Sequence, residues 1–142
     1  MAEAVLERAL ERFRPDPGWN LFIDMGSFRK IGSHLGEEVP EQSIARVVGR
    51  PFRTDVEATA VGRPHANASP RWGSDPWVIQ VDSVRGNREQ VSVIVSERFN
   101  QRIKGHENAS AVMMDNNIWE YVLLLRKGNW VVVSTRRVFG PS

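Results

Sequence analysis

The sequence predicts an α+β domain, with N-terminal helices packed on a curved, mainly antiparallel sheet of four to six strands. Three observations carry that expectation. Apolar residues recur at helical spacing up to residue 48, the period then changes to two, and Gly86-Asn87 and Gly128-Asn129 separate long β-type runs as hairpin turns do. The 142 residues are enough to bury one sizeable core, so a single domain over 1–142 is expected, with a helical part at 1–48 and a sheet part at 52–139.

From Glu3 to Arg14, the residues Val5, Leu6, Ala9, Leu10 and Phe13 line one helical face, with Glu7, Arg8, Glu11 and Arg12 opposite. Pro15-Asp16-Pro17-Gly18 ends this helix. A second helix is expected over Trp19 to Leu35, bent or broken by Gly26 and Gly32, each of which costs about 1 kcal/mol relative to alanine. Pro40 to Val48 suits a third, with proline in the first turn and Gly49 at the end. All three helices are thus expected to precede every strand.

Phe52, Thr54, Val56, Ala58 and Ala60 alternate with polar residues as a half-buried strand does. The segment 62–76, dense in Gly, Pro, Asn, Ser and Asp, reads as a long surface loop. Four further strands are expected, at Trp77–Arg85, Glu89–Ile103, Asn117–Arg126 and Trp130–Phe139. A two-residue Gly128-Asn129 turn would pair Leu124 with Val133 and Glu120 with Arg137. A two-residue Gly86-Asn87 turn would set Trp77, Ile79 and Val81 beside Ser96, Ile94 and Ser92, so either both faces are partly covered or a bulge shifts the register.

The closing half, from Trp77 to Phe139, carries the run Trp119-Glu120-Tyr121-Val122-Leu123-Leu124-Leu125-Arg126-Lys127-Gly128-Asn129-Trp130-Val131-Val132. In its strand, glycine turn and tryptophan-led last strand it resembles the nuclear transport factor 2-like superfamily. The resemblance implies a cone-like, cystatin-like sheet with helices over it and an apolar pocket between. Polyketide cyclases, ketosteroid isomerases and epoxide hydrolases of that superfamily use such a pocket. The same fold also serves as a non-catalytic adaptor or dimerisation module, so an enzyme is not decided by it.

Glu97 falls in phase with Val91, Val93, Val95 and Phe99. A carboxylate in an apolar stripe is desolvated, which suits it to acid-base work near neutral pH, whereas a solvated strand end or an arginine partner would make it ordinary. Tyr121, beside Trp119 and Leu123, could donate a hydrogen bond to a developing oxyanion, or simply be amphipathic strand filler. His65, in the long loop, is the third candidate acid-base group, against a solvated surface histidine. Asp24, Trp77, Asp82 and Trp119 are candidate ligand-binding residues.

Neither His34, His65 nor His106 has a spaced partner of the kind zinc requires, and there is no cysteine, so no metal and no cofactor are expected. No phosphate-binding loop, nucleophile elbow or dinucleotide fingerprint occurs. Net charge is only +2, so nucleic acid is disfavoured as a partner, although Arg46, Arg50, Arg53, Arg63 and Arg71 concentrate basic charge over 46–71 near Trp72 and Trp77. With no signal-like start and no apolar run near 20 residues, the expectations are a cytoplasmic location and no membrane contact. The leading functional expectation is a small organic molecule bound in the pocket, with isomerase, cyclase or hydrolase chemistry. The alternative is a protein-protein interaction or homodimerisation module using an apolar sheet face.

Overall fold

The computed structural model describes residues 1–12, 20–56, 76–102 and 112–138. Helix α1, Ala2–Arg12, buries Val5, Leu6 and Ala9 and leaves Glu3, Glu7 and Glu11 in solvent, as the helical spacing requires. Phe13 and Arg14 lie outside the described residues.

The expected second helix is shorter than its sequence pattern. Its first turn is instead strand β1, Asn20–Ile23, so one strand comes between α1 and α2. The three consecutive apolar residues explain the difference. Leu21 and Ile23 enter the core, while Phe22 is buried on the other side, beside Val78 and under the Arg53 guanidinium, 5.2 Å from its ring centre. A strand buried on both faces needs such an unbroken run, which a one-sided helix does not. Helix α2, Met25–Leu35, then starts on Asp24, whose side chain accepts a hydrogen bond from the Ser27 N–H at 3.1 Å. Met25, Phe28 and Ile31 face the core. Gly32 is a packing necessity, since a Cβ there would collide with the Glu37 carbonyl. Helix α3, Glu41–Val48, follows the expectation, from Pro40 to a left-handed Gly49, and buries Ile44.

The strand expected over Phe52 to Ala60 is not formed in its described part. Arg53 makes a single parallel bridge to Phe22, with the Ile23 and Arg53 amides each donating at 2.8 Å. Strand β1 is only four residues long, which keeps the pairing it can offer on that side short. Residues 57–60 and the segment 61–75, which includes most of the expected loop and His65, lie outside the described residues.

Strands β2 (Pro76–Gly86), β3 (Gln90–Arg102), β4 (Val112–Arg126) and β5 (Asn129–Val138) complete an open five-stranded sheet in the order β1-β2-β3-β4-β5. The sheet is curved, and only the β1/β2 pair is parallel. The first hairpin resolves its two options in favour of a bulge. Asp82 is the extra residue, Val81 pairs with Val95, and Ile79 and Trp77 pair with Glu97 and Phe99. The second hairpin departs from the expected register. Lys127 and Gly128, at φ 52° and 80°, form the turn, which puts Arg126 opposite Asn129. A bulge at Val133 then shifts the pairing by one, so Glu120 faces Arg136, not Arg137, and the two form an ion pair at 3.0 Å. Positive φ at both central residues is what a tight hairpin demands, and a lysine there is tolerated, not preferred.

The core lies between the helices and one face of this sheet. Val5, Leu6, Ala9, Phe28, Ile31 and Ile44 pack on Val91, Val93, Val95, Tyr121 and Leu123. No helix among the described residues is long and apolar enough to cross a membrane.

Candidate functional site

The sheet edge that β1 abandons fixes the position of everything nearby. The parallel ladder ends where the Asp24 amide donates to the Ile79 carbonyl at 3.0 Å. Beyond that point α2 supplies the missing rungs from its side chains. The Val81 amide donates to Ser27 Oγ at 2.8 Å, and Ser27 Oγ donates to the Asp24 carbonyl at 2.7 Å. Lys30 Nζ donates to the carbonyls of Val81 and Asp82 at 3.4 and 3.2 Å. On the opposite face, Asp82 Oδ1 accepts from Gln80 Nε2 at 2.7 Å and from Ser96 Oγ at 3.1 Å. Asp82 and Asp24 are therefore tied into the bulge and the helix cap. Asp24 caps α2 and does not sit within it, and Asp82 faces away from the core side of the sheet.

Helix α2 starts at the level of Ile79 and runs towards the Gly86 turn, where His34 and Leu35 line a groove with Gly86. The sheet rows at and beyond Ile79 are thus at the helix's starting end. Glu97 stands in that row, between Ile79 on β2 and Asn117 on β4, and its side chain is 0% exposed. It is in phase with Val91, Val93 and Val95, all fully buried, so it points to the core side. The row beyond holds Trp77 opposite Phe99, their rings stacked 4.2 Å apart and within 3° of parallel. The row on the other side holds Trp119, opposite Val95, and the next holds Tyr121, opposite Val93. Trp77 and Trp119 are diagonal neighbours of Glu97, a separation that long side chains span. The indole Nε1 atoms of both tryptophans, the Tyr121 hydroxyl and both Glu97 carboxylate oxygens are buried.

Strand β5 adds a cation to this face. Arg137 pairs with Trp119, and its Nη2 donates to Asn117 Oδ1 at 3.0 Å. The structure thus brings together Glu97, Trp77, Trp119 and Tyr121 of the residues singled out in the sequence. It adds Phe99, Asn117 and Arg137. Asn117 carried no signal beyond its place at a strand start, and Arg137 was hidden by the mistaken turn, which assigned it to Glu120 on the other face.

Arg46 and Arg53 are exposed and Arg50 half-buried, and Arg53 is held in a two-point fork with Asp55 at 3.0 and 2.6 Å. Arg63 and Arg71 lie outside the described residues, as do His65 and His106. Among the described residues no cluster of three or more His, Asp or Glu side chains could hold a metal ion. An open groove of about 780 Å³ lies at the hairpin-turn end, lined by His34, Glu37, Arg88, Leu125 and Trp130 among others, and Glu97 is not part of it. Comparison of the chain with protein-family models, with curated proteins and with solved structures finds no match.

Proposed function

We propose that this chain binds a small organic molecule on the core-facing side of its sheet, at the end where α2 begins, and that Glu97 exchanges a proton with it. Acid-base isomerase, cyclase or hydrolase chemistry of the nuclear transport factor 2-like kind is the reaction class that this implies. The supporting observation is the complete burial of the Glu97 side chain among Ile79, Trp77 and Trp119 on the face that the helices pack against. A buried carboxylate is costly to desolvate, and a desolvated carboxylate on an apolar face is the kind of group that acid-base chemistry uses. Tyr121 and the two indoles place N–H and O–H donors on the same face, which is the composition of an organic-ligand site: apolar walls with a few polar groups.

Ligand-observed NMR with a library of small ring compounds, run on the wild type and on Glu97→Gln, tests this. Glutamine keeps the shape and removes the ionisable group. The expected result is a folded variant that binds the wild-type ligands roughly tenfold or more weakly, the scale of one charge-assisted hydrogen bond, and without the wild-type pH dependence. A folded variant with unchanged affinity and pH profile, or a wild type without ligands, overturns the reading.

A second reading rests on the other face of the sheet. There Val131 and Val133 are 40% and 42% exposed, alongside half-buried Ile94, Ile118, Val122 and Leu124. An apolar sheet face of this kind suits a protein partner or a second copy of the chain. Sedimentation equilibrium of the wild type against Val131→Lys separates the cases, since a monomer in both leaves self-association without support.

A further inference from the structure

Because β1 ends at Ile23, β2 has no neighbouring strand on that side beyond Ile79, and α2 lies along the vacated edge. Between the two runs an open groove of about 610 Å³, walled by Arg29, Lys30, Ser33 and His34 on α2 and by Ser83 and Val84 on β2. The four helix residues recur at the i, i+1, i+4, i+5 spacing of one helix face, all four are exposed, and no carboxylate lines the groove. We propose that this groove binds the phosphate group of a small molecule, with Arg29 as the residue that holds it. The site is separate from the Glu97 face and goes beyond the reading given for that face.

Uncompensated positive charge is what points to an anion. Lys30 Nζ is pinned on the carbonyls of Val81 and Asp82 at 3.4 and 3.2 Å, and two neutral carbonyls leave the ammonium its charge and a third N–H. The Asp82 carboxylate does not neutralise it, because its Oδ1 accepts from Gln80 and Ser96 on the opposite face. Arg29 forms no ion pair among the described residues. Glu37 and Glu38 line a neighbouring hollow that shares Arg29 and Ser33, and neither comes within ion-pair distance of the guanidinium. The kinds of donor then select the anion. A planar guanidinium fork, an ammonium and the hydroxyls of Ser33 and Ser83 stand on two walls and offer hydrogen bonds from several directions, which suits a tetrahedral oxyanion better than a flat carboxylate. Arg29 and His34 are separated by about 7.5 Å along the helix axis, room for one phosphate and a small organic group. A net charge of +2 supplies no wider field for a polyanion.

The experiment is a titration of the whole nitrogen-15-labelled chain with phenyl phosphate, inorganic phosphate and benzoate at constant ionic strength, read on the amide signals of Arg29, Ser33, Ser83 and Val84. Phenyl phosphate is expected to give saturable shifts confined to this groove, with a Kd on the order of 1 mM, the strength of about two charge-assisted hydrogen bonds. Benzoate should bind roughly fivefold or more weakly. Arg29→Gln should weaken phenyl phosphate roughly tenfold, and Arg29→Lys should recover part of the loss. Because Arg29 is exposed and glutamine is a comparable helix former, the fold is kept. Arg46→Gln, at an exposed position on α3, is the control and should change nothing. Inorganic phosphate binding as tightly as phenyl phosphate assigns the groove to the free ion, and weaker binding assigns it to an ester; both support the phosphate site. Shifts that do not saturate, benzoate binding as tightly as phenyl phosphate, or unchanged affinity in Arg29→Gln overturns the proposal and leaves the Glu97 reading standing.

Discussion

Replacing Ser27 by alanine should loosen the join between α2 and the sheet, and the size of the effect can be worked from two hydrogen bonds. Ser27 is 8% exposed, and its hydroxyl both donates to the Asp24 carbonyl and accepts from the Val81 amide. Alanine fits the space, so the loss is polar. The Val81 N–H is left without its acceptor beside a buried residue, which costs about 1–3 kcal/mol. Loss of the donated bond adds about 0.5–1.5 kcal/mol, against which alanine's better helix propensity returns about half a kcal/mol. The net destabilisation is about 2 kcal/mol. For a chain of this size that lowers Tm by roughly 6 °C, at about 3 °C per kcal/mol. Chemical denaturation with Ser33→Ala as the control, an exposed position on the same helix, isolates the effect. Amide exchange supplies a local readout, since Val81 should lose protection before its neighbours on β3. A variant within 0.5 kcal/mol of wild type with Val81 still protected would refute the idea that α2 completes the edge of β2.

Two further outcomes follow from the turns and the exposed charges. Lys127→Asn should stabilise the chain by about 0.5–1 kcal/mol in denaturant, because Lys127 sits at φ 52° and asparagine before Gly128 is the preferred pair for such a turn. The Asp55 carboxyl is held below its ordinary 3.8 chiefly by the hydrogen bond from Arg53, so carbon-13 titration should give a midpoint under that value and Arg53→Gln should raise it. The sign follows from the depressed folded value. Whatever stability the pair contributes is present above the unfolded carboxyl's range, near pH 4, and is lost as pH falls through the lowered folded value, so the variant and wild type should converge in acid.

The sheet was legible wherever one face is apolar and the other is not. Val91, Val93 and Val95 alternate with Ser92, Ile94 and Ser96, and the structure buries the valines fully. Glu97 could be picked out for the same reason, as a carboxylate in phase with them. Register was not legible, because it depends on which residues turn and where an extra one is inserted. Lys127-Gly128 and Gly128-Asn129 both offer a left-handed position, and the bulges at Asp82 and Val133 leave no mark in the alternation that a single mispairing would not also leave. Strand β1 was hidden by its own composition. Leu21, Phe22 and Ile23 fit a helix face with its flanks as well as they fit a strand covered on both sides, and only Asp24 with Ser27 three residues later marks the true start of α2.

Those register shifts are also what assemble the candidate site. With the expected turns, Glu97 would have stood beyond the first hairpin's paired rows, and Arg137 would have joined Glu120 on the outer face. The Asp82 bulge and the longer first turn bring Ile79 opposite Glu97 and set Trp77 against Phe99. Placing the second turn at Lys127-Gly128, with one extra residue at Val133, brings Arg137 to the row of Trp119 on the core side and gives Arg136 to Glu120. Bulges re-aim side chains where function needs them. Deleting Val133 would therefore straighten β5 without changing its partners, because Val132 would still face Leu123 and Ser134 would still face Val122, and Arg137 should keep its place in the row of Trp119.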